Sequence, residues 1–383
     1  MKTIYVCNIF DQERRERYDV SSDSPAAFNK VLGVAKALNK NDCDCSIVSL
    51  SIGNSPFIFL EQNKVENQGV LFNYIGSISN KFIRSFYASF SLLFFILKNK
   101  TKIKNIIFYN YLAEYWLSIF LCLVLNKKII IDIEDGINND LNIIKKIFRK
   151  FLLSSYITMS KGNILSVSES LLKAHNPSNG FVCYGLTEFN NDHRLKNLFD
   201  NDSDLKILFC GSLTRETGVP LLIKLCDLLG DNKNISSKVV INIAGYGSMQ
   251  SELISLAQRC SFVKFHGRVS DSCYKSLLKN SHVGLVFKDL NTSVGSTTFP
   301  SKIVEFSSNQ LAIISTKVSD VPKIFNDGEI FLVDDENEIL SALNKFLNDP
   351  TLVHALSSKA YKKAKMTFND KVVGRKLKSK FLL

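Results

Sequence analysis

Short apolar runs alternate with amphipathic segments of helix length along most of the chain, the pattern of parallel α/β layers. In the first half the runs Thr3 to Asn8, Ser46 to Leu50, Asn105 to Tyr109, Lys128 to Ile133, Ile164 to Ser168 and Phe181 to Tyr184 predict strands, with helices near 25–39, 81–98, 111–125 and 141–157. After Gly185 comes a polar stretch, Asn190 to Asp204, that reads as a linker. The alternation then restarts. Strands are predicted at Lys206 to Cys210, Val239 to Ala244, Val263 to His266, Val283 to Phe287, Leu311 to Ser315 and Ile330 to Val333. Helices are predicted between them near 219–229, 248–259, 271–279, 300–308 and 336–347, and a last, lysine-rich helical stretch runs from Thr351 to Phe381.

The same plan therefore occurs twice. It predicts two Rossmann-like domains, 1–189 and 205–365, joined by a linker at 190–204 and facing each other across a cleft, with ligands at the carboxyl ends of the strands. Residues 366–383 are expected to form a closing helix that packs back on the N-terminal domain. Length agrees, since 383 residues exceed what one hydrophobic core usually supports.

Composition narrows the class. With 45% hydrophobic and 22% charged residues and 7 prolines, the chain is neither disordered nor collagenous. Nine scattered cysteines without CxxC or Cys/His ligand spacing read as buried free thiols in a reducing compartment. The N-terminus turns polar at Asp11, too early for a signal peptide. The most apolar stretches, Ser85 to Leu97 and Tyr109 to Leu125, are poor spans because the first is short and the second carries Glu114. A cytoplasmic place is expected. The net charge of +12 favours polyanionic partners without choosing among them.

Four segments of the second half could carry chemistry. Phe209 to Pro220 is a strand passing through a loop bounded by Gly211 and Gly218 into a helix, whose free amides could bind phosphate. Ile241 to Ser248 ends a strand in Gly245-Tyr246-Gly247 but lacks the third glycine and the acid of a dinucleotide fingerprint. Phe265 to Val269 includes Gly267, which could admit a planar base. The most informative is Gly295 to Phe306: a Gly/Ser/Thr loop enters a helix near Pro300, where a pyrophosphate would meet amides, the helix dipole and the Lys302 ammonium. Lys302 and Glu305, three apart, share a helix face.

The order G-S-L-T-R-E-T-G, I-A-G-Y-G, F-H-G-R-V, F-P-S-K-I-V-E-F and L-A-I-I-S-T resembles, over about 205–365, the C-terminal half of glycosyltransferase family 4, retaining enzymes of the GT-B fold. The resemblance implies a nucleotide-diphosphate-sugar donor in the C-terminal domain, with no metal. Glu305 matches the donor-ribose ligand of the family's E-x7-E motif, and Thr298, Phe299, Pro300, Ser301 and Lys302 match its diphosphate-binding turn. Gly245 and the segment of His266, Arg268 and Val269 match positions flanking the base, and Gly211 opens the first loop. There are departures. Thr297 stands where the first glutamate of that motif would lie, and Ser212 and Thr217 replace a frequent basic pair, leaving Arg215 and Lys302 to supply charge to the phosphates.

The N-terminal domain resembles the family more weakly. SSDSPAAF stands where many members have a glycine-rich loop, and no histidine precedes His175 to match the family's N-domain catalytic histidine. The buried strand ending Asp132-Ile133-Glu134-Asp135 offers Glu134 and Asp135 as catalytic substitutes, a solvated strand-end turn being the competing reading. Two acid-free basic blocks, 81–104 and 145–161, accompany very apolar helices there and suggest contact with an anionic membrane surface. The function expected is transfer of a sugar to a glycan or lipid-linked acceptor in bacterial surface polysaccharide synthesis. An epimerase, a hydrolase or a non-catalytic relative on the same fold is the alternative. Nucleic acid is not an expected partner, because no recognition motif accompanies the charge.

Overall fold

The structure, a computed structural model, describes residues 2–17, 25–53, 63–76, 78, 80, 83–134, 136, 142–189, 199, 200, 203–290, 292 and 297–382. The chain divides into two compact units, Met1–Leu186 with Asn369–Leu383, and Thr187–Phe368. Most of the proposed linker lies outside the described residues.

The first unit runs β1 (Lys2–Cys7), α1 (Gln12–Arg17), α2 (Pro25–Asn39), β2 (Cys45–Ser49), β3 (Asn63–Asn67), β4 (Val70–Tyr74), α3 (Arg84–Lys98), β5 (Ile103–Tyr109), α4 (Trp116–Val124), β6 (Lys128–Ile133), α5 (Ile143–Met159), β7 (Asn163–Ser166), α6 (Glu169–Ala174) and β8 (Asn179–Val182). Its sheet order is β3-β4-β2-β1-β5-β6-β7-β8. Every pair is parallel except β3 with β4. Strands read as unbroken apolar runs because both faces are covered. Ile4 and Val6 join Ile106, Phe108 and Ile131 against α3, α4 and α5, while Tyr5 and Cys7 join Ile47, Ile107 and Ile130 against α2.

The second unit runs β9 (Leu205–Ser212), α7 (Val219–Asp231), α8 (Lys233–Ser236), β10 (Val239–Tyr246), α9 (Gln250–Arg259), β11 (Val263–Gly267), α10 (Asp271–Asn280), β12 (Val283–Val286), α11 (Ser301–Ser308), β13 (Ala312–Thr316), α12 (Val321–Ile324), β14 (Phe331–Val333), α13 (Glu336–Asn348) and α14 (Pro350–Phe368). Its wholly parallel sheet has the order β11-β10-β9-β12-β13-β14. The strand order reverses between β9 and β12. In open α/β sheets that reversal opens a crevice at the carboxyl ends of the strands, which is where ligands bind.

Two predicted elements need correction, and a pair of strands must be added. The long helix expected from Thr351 to Phe381 breaks at Asn369, whose backbone is extended (φ −60°, ψ 129°) and whose side chain accepts from the amides of Lys371 and Val372. A new helix, α15 (Asp370–Leu377), starts there, and it packs on α2 of the first unit. Lys40 pairs with Asp370 at 2.6 Å and Lys378 donates to the Asn41 carbonyl at 2.8 Å, while Gly374 lies so close to the Ala37 carbonyl that a Cβ would come within 2.2 Å of its oxygen. The strand expected at Phe181 to Tyr184 sits two residues earlier, as β8. The β3–β4 hairpin was not predicted, since Asn63–Asn67 carries a single apolar residue. Its turn has positive φ at both Gln68 (51°) and Gly69 (78°), as the tight hairpin turns require.

Candidate active site

At the carboxyl edge of the second sheet, β9 and β10 run in register, with Gly211 opposite Gly245 and Tyr246 opposite Ser212. Gly245 has φ +145°, and a Cβ there would lie 1.9 Å from the Gly211 carbonyl oxygen. Gly211 (φ +130°) faces Lys302, whose Cε would be 3.7 Å from a Cβ at that position. The two glycines thus keep the backbone bare beside the lysine.

Lys302 comes from the first turn of α11, which follows an extended Pro300 that makes no side-chain cap. The helix holds its place because Ile303, Val304 and Phe306 are buried and Phe306 seats its ring over Gly284 of β12. This packing turns Lys302 and Glu305 outward. The Lys302 ammonium donates to Glu305 Oε2 at 2.6 Å and to the Tyr274 hydroxyl at 2.9 Å, and lies 4.7 Å from the Tyr274 ring centroid. Tyr274 Oη is in turn 3.4 Å from Cys210 Sγ. Burial works against the Lys302 charge, but Cys210 and Glu305 beside it reverse the balance and its pKa is raised. Burial, then Cys210 and Glu305, push the Tyr274 hydroxyl far up, so it stays protonated. Lys302 remains 28% exposed, enough for a ligand to reach it.

Lys288, beyond the end of β12, donates to the Thr298 side chain and carbonyl. A second ammonium therefore braces the turn before α11. Phe299 directs its ring inward, 5.9 Å from that of Phe368, so what the turn can offer a ligand at this position is main chain. Ser301 opens the helix and is exposed. Across the sheet, the Arg268 guanidinium sits 5.1 Å from the centre of the Tyr246 ring, forming a flat cationic and aromatic shelf at the ends of β10 and β11. His266 shares a hydrogen bond of 2.9 Å with Asn242, and burial followed by Lys264 lowers its pKa, so it is neutral at pH 7. Val269 leads into Ser270, the N-cap of α10. Arg215 lies exposed in the loop between Gly211 and Gly218, where Thr217 ties the turn by donating to the Ser212 carbonyl at 2.6 Å.

In the first unit Glu134 does not stand alone. Lys30 of α2 pairs with Glu134 and, at 2.8 Å, with Asp132, which is fully buried and also accepts from the Tyr5 hydroxyl. Burial and then the Asp132 carboxylate raise the Tyr5 pKa, so Tyr5 remains the donor. Asn110, in a left-handed conformation (φ 59°), accepts from the Glu134 amide at 2.9 Å. Asp135 lies outside the described residues, as do Gly295 and Ser296 of the loop before α11 and the first four residues of SSDSPAAF. Tyr274, Lys288, Cys210 and Lys30 were not singled out from sequence. Only Lys30 left a signal, as the lysine in the helix that follows the phosphate-loop position.

The topology and the glycine-walled edge define the class: two Rossmann-like α/β units of the GT-B fold. Residues 190–363, almost the whole of the second unit, match the family described as Glycosyl transferases group 1, so this stretch is a glycosyltransferase group 1 domain. No curated protein sequence matches it. Among solved structures it is similar to sucrose-phosphate synthase from Thermosynechococcus elongatus, with 12% identity, 99% and 98% of the two chains covered and a TM-score of 0.70. It is similar also to HepE of Anabaena in complex with UDP (11%, 99% and 99%, 0.70) and to the lipopolysaccharide outer core galactosyltransferase WaaB (13%, 99% and 98%, 0.63). At these identities the likeness speaks for the fold.

Proposed function

We propose that the protein is a retaining glycosyltransferase that moves a sugar from a nucleoside diphosphate, UDP in the first instance, to a glycan or lipid-linked glycan. The observation that carries this reading is the half-buried but accessible Lys302 ammonium beside the bare backbone of Gly211, at the point where the strand order reverses. The diphosphate lies against Lys302, the amides of the Thr298–Ser301 turn and Arg215. The base rests on the Arg268–Tyr246 shelf, near His266, Val269 and Gly245. Glu305 gives up Lys302 to the phosphates and accepts from the ribose hydroxyls. The bond between the anomeric carbon and the diphosphate oxygen breaks while the acceptor hydroxyl oxygen bonds on the same face and passes its proton to the departing diphosphate oxygen, and the remaining charge on the leaving diphosphate is met by fixed cations. Lys302, Lys288 and Arg215 supply that charge, so activity is expected to survive chelation of divalent metals. HepE in complex with UDP supports the choice of nucleotide. WaaB, a lipopolysaccharide outer core galactosyltransferase, supports an acceptor in bacterial surface polysaccharide. The transferase works in the cytoplasm, on the inner face of the membrane, through segments 81–104 and 145–161. Glu134, held by Lys30, is the carboxylate that serves the acceptor, with Asp135 beside it in sequence as the second candidate.

Calorimetric titration with UDP tests the donor site. A hydrogen bond to a charged group is worth about 1.5–3 kcal/mol, so Lys302→Met should weaken binding by roughly tenfold to a hundredfold. Glu305→Gln should weaken it too, whereas Lys371→Met, on α15, should leave it unchanged. Equal UDP affinity in the wild type and in both site variants would refute the assignment.

A further inference from the structure

Three neighbouring helices of the first unit leave a broad apolar surface uncovered. On α3, Ala88, Leu92 and Ile96 face the core, while Phe86, Phe90 and Phe94, also four apart, stand in solvent on the opposite side. Next to it, α4 buries Ile119 and Cys122 and exposes Leu117, Phe120 and Val124. Beside that, α5 buries Leu152, Leu153 and Tyr156, but Ile143, Ile144, Ile147, Phe148 and Phe151 are exposed along its first half, Ile144 at 78%. Large apolar side chains scattered singly over a surface are ordinary; a contiguous set across three helices marks an interaction site.

Charge decides the occupant. None of the three helices contains Asp or Glu, and α3 and α5 carry Arg84, Lys98, Lys145, Lys146, Arg149 and Lys150 among the phenylalanines and isoleucines. A protein partner would need an acidic rim around an apolar centre. An anionic bilayer presents both together over any extent, with phosphate oxygens at the level of the basic side chains and acyl chains beneath. The single tryptophan of the chain, Trp116, opens α4 within this surface, stacked on Phe151 at 5.9 Å, and indole favours the headgroup level. No helix among the described residues is long and apolar enough to cross a membrane.

We propose that the α3–α4–α5 face of the first unit is a docking surface for anionic phospholipid, with the phenylalanines of α3 and α4 and the first half of α5 lying in the interface. This deepens the membrane reading above and rests on it for its purpose, since it brings the transferase to an acceptor held in the bilayer. It adds α4, which carries no charge and lies outside both basic segments, as part of the contact.

The experiment is partition of the full-length protein onto phosphatidylcholine vesicles with and without phosphatidylglycerol, followed by sedimentation and by Trp116 fluorescence. Binding to the mixed vesicles, with a blue shift of Trp116 emission, is the expected result. Each basic residue near such a surface contributes about fivefold, so replacing Lys145, Lys146, Arg149 and Lys150 together by Gln should weaken binding by several hundredfold, on the order of 600-fold. Phe120→Ser should reduce it without touching the charge. UDP affinity, measured without vesicles, should be the same in all variants and shows that each is folded. Absence of binding to the mixed vesicles, equal binding to uncharged vesicles, or a blue shift that arises without lipid as the protein dimerises would overturn the proposal. Failure of the wild type to bind UDP falls on the transferase reading alone.

Discussion

Removing the Lys30 ammonium should destabilise the first unit more than any change at the donor site. Lys30 is 10% exposed and lies between Asp132, fully buried, and Glu134, 21% exposed. In Lys30→Met the side chain keeps its bulk, but among the described residues Asp132 is left with the Tyr5 hydroxyl as its side-chain partner. Breaking a buried pair on one side costs about 3–5 kcal/mol, because the surviving charge is uncompensated. Water can reach Glu134, so the lower end, about 3 kcal/mol, is expected. Against a typical domain stability of about 5–15 kcal/mol, this is a large fraction. Trp116, the only tryptophan, reports on the first unit selectively. With a urea dependence of about 1–3 kcal/mol per molar, its unfolding midpoint should fall by about 1 M or more. The double variant Lys30→Met/Asp132→Asn removes the stranded charge and should recover much of the loss. A midpoint unchanged in Lys30→Met, or a double variant no more stable than the single one, would refute this account.

At the donor edge, Gly245→Ala combines a conformation disfavoured for alanine, costing about 1–3 kcal/mol, with a Cβ 1.9 Å from the Gly211 oxygen. It should lower the thermal midpoint of the second unit and abolish UDP binding, whereas Gly230→Ala, with nothing within 4 Å of the added carbon, should do neither. His266 has a lowered pKa in the folded protein, so folding opposes its protonation. Its contribution to stability is complete above its ordinary pKa of about 6.5 and is lost as pH falls through the lower folded value. His266→Gln should flatten the acid limb of melting temperature against pH; an unchanged limb would place the loss elsewhere.

The paired sheets were legible in the sequence because strands covered on both faces write themselves as apolar runs, such as Ile129 to Ile131, between helices of opposite character. Glu305 and Lys302 were legible as well, since a spacing of three on a helix fixes their shared face, and the structure places them 2.6 Å apart. What joins residues far apart in sequence was not. Tyr274 reaches Lys302 across 28 positions and Lys30 reaches Asp132 across 102, distances over which no local pattern records a contact. The break at Asn369 was missed because a capping asparagine in a lysine-rich helical stretch differs little from a solvated one until its extended backbone is seen. β3 escaped because an edge strand open to solvent needs no run of apolar residues, and without it the buried β4 had no visible hairpin partner.

The docking of α15 on α2 has a consequence for biosynthesis. Only the second unit is a continuous stretch of polypeptide; the first is closed by residues made after all of the second. During translation, then, the outer face of α2, with Ala37 and the following turn at Asn41, stays uncovered until residues 370–382 have emerged, while Thr187–Phe368 can already complete its own core. The half synthesised first is the half that finishes last.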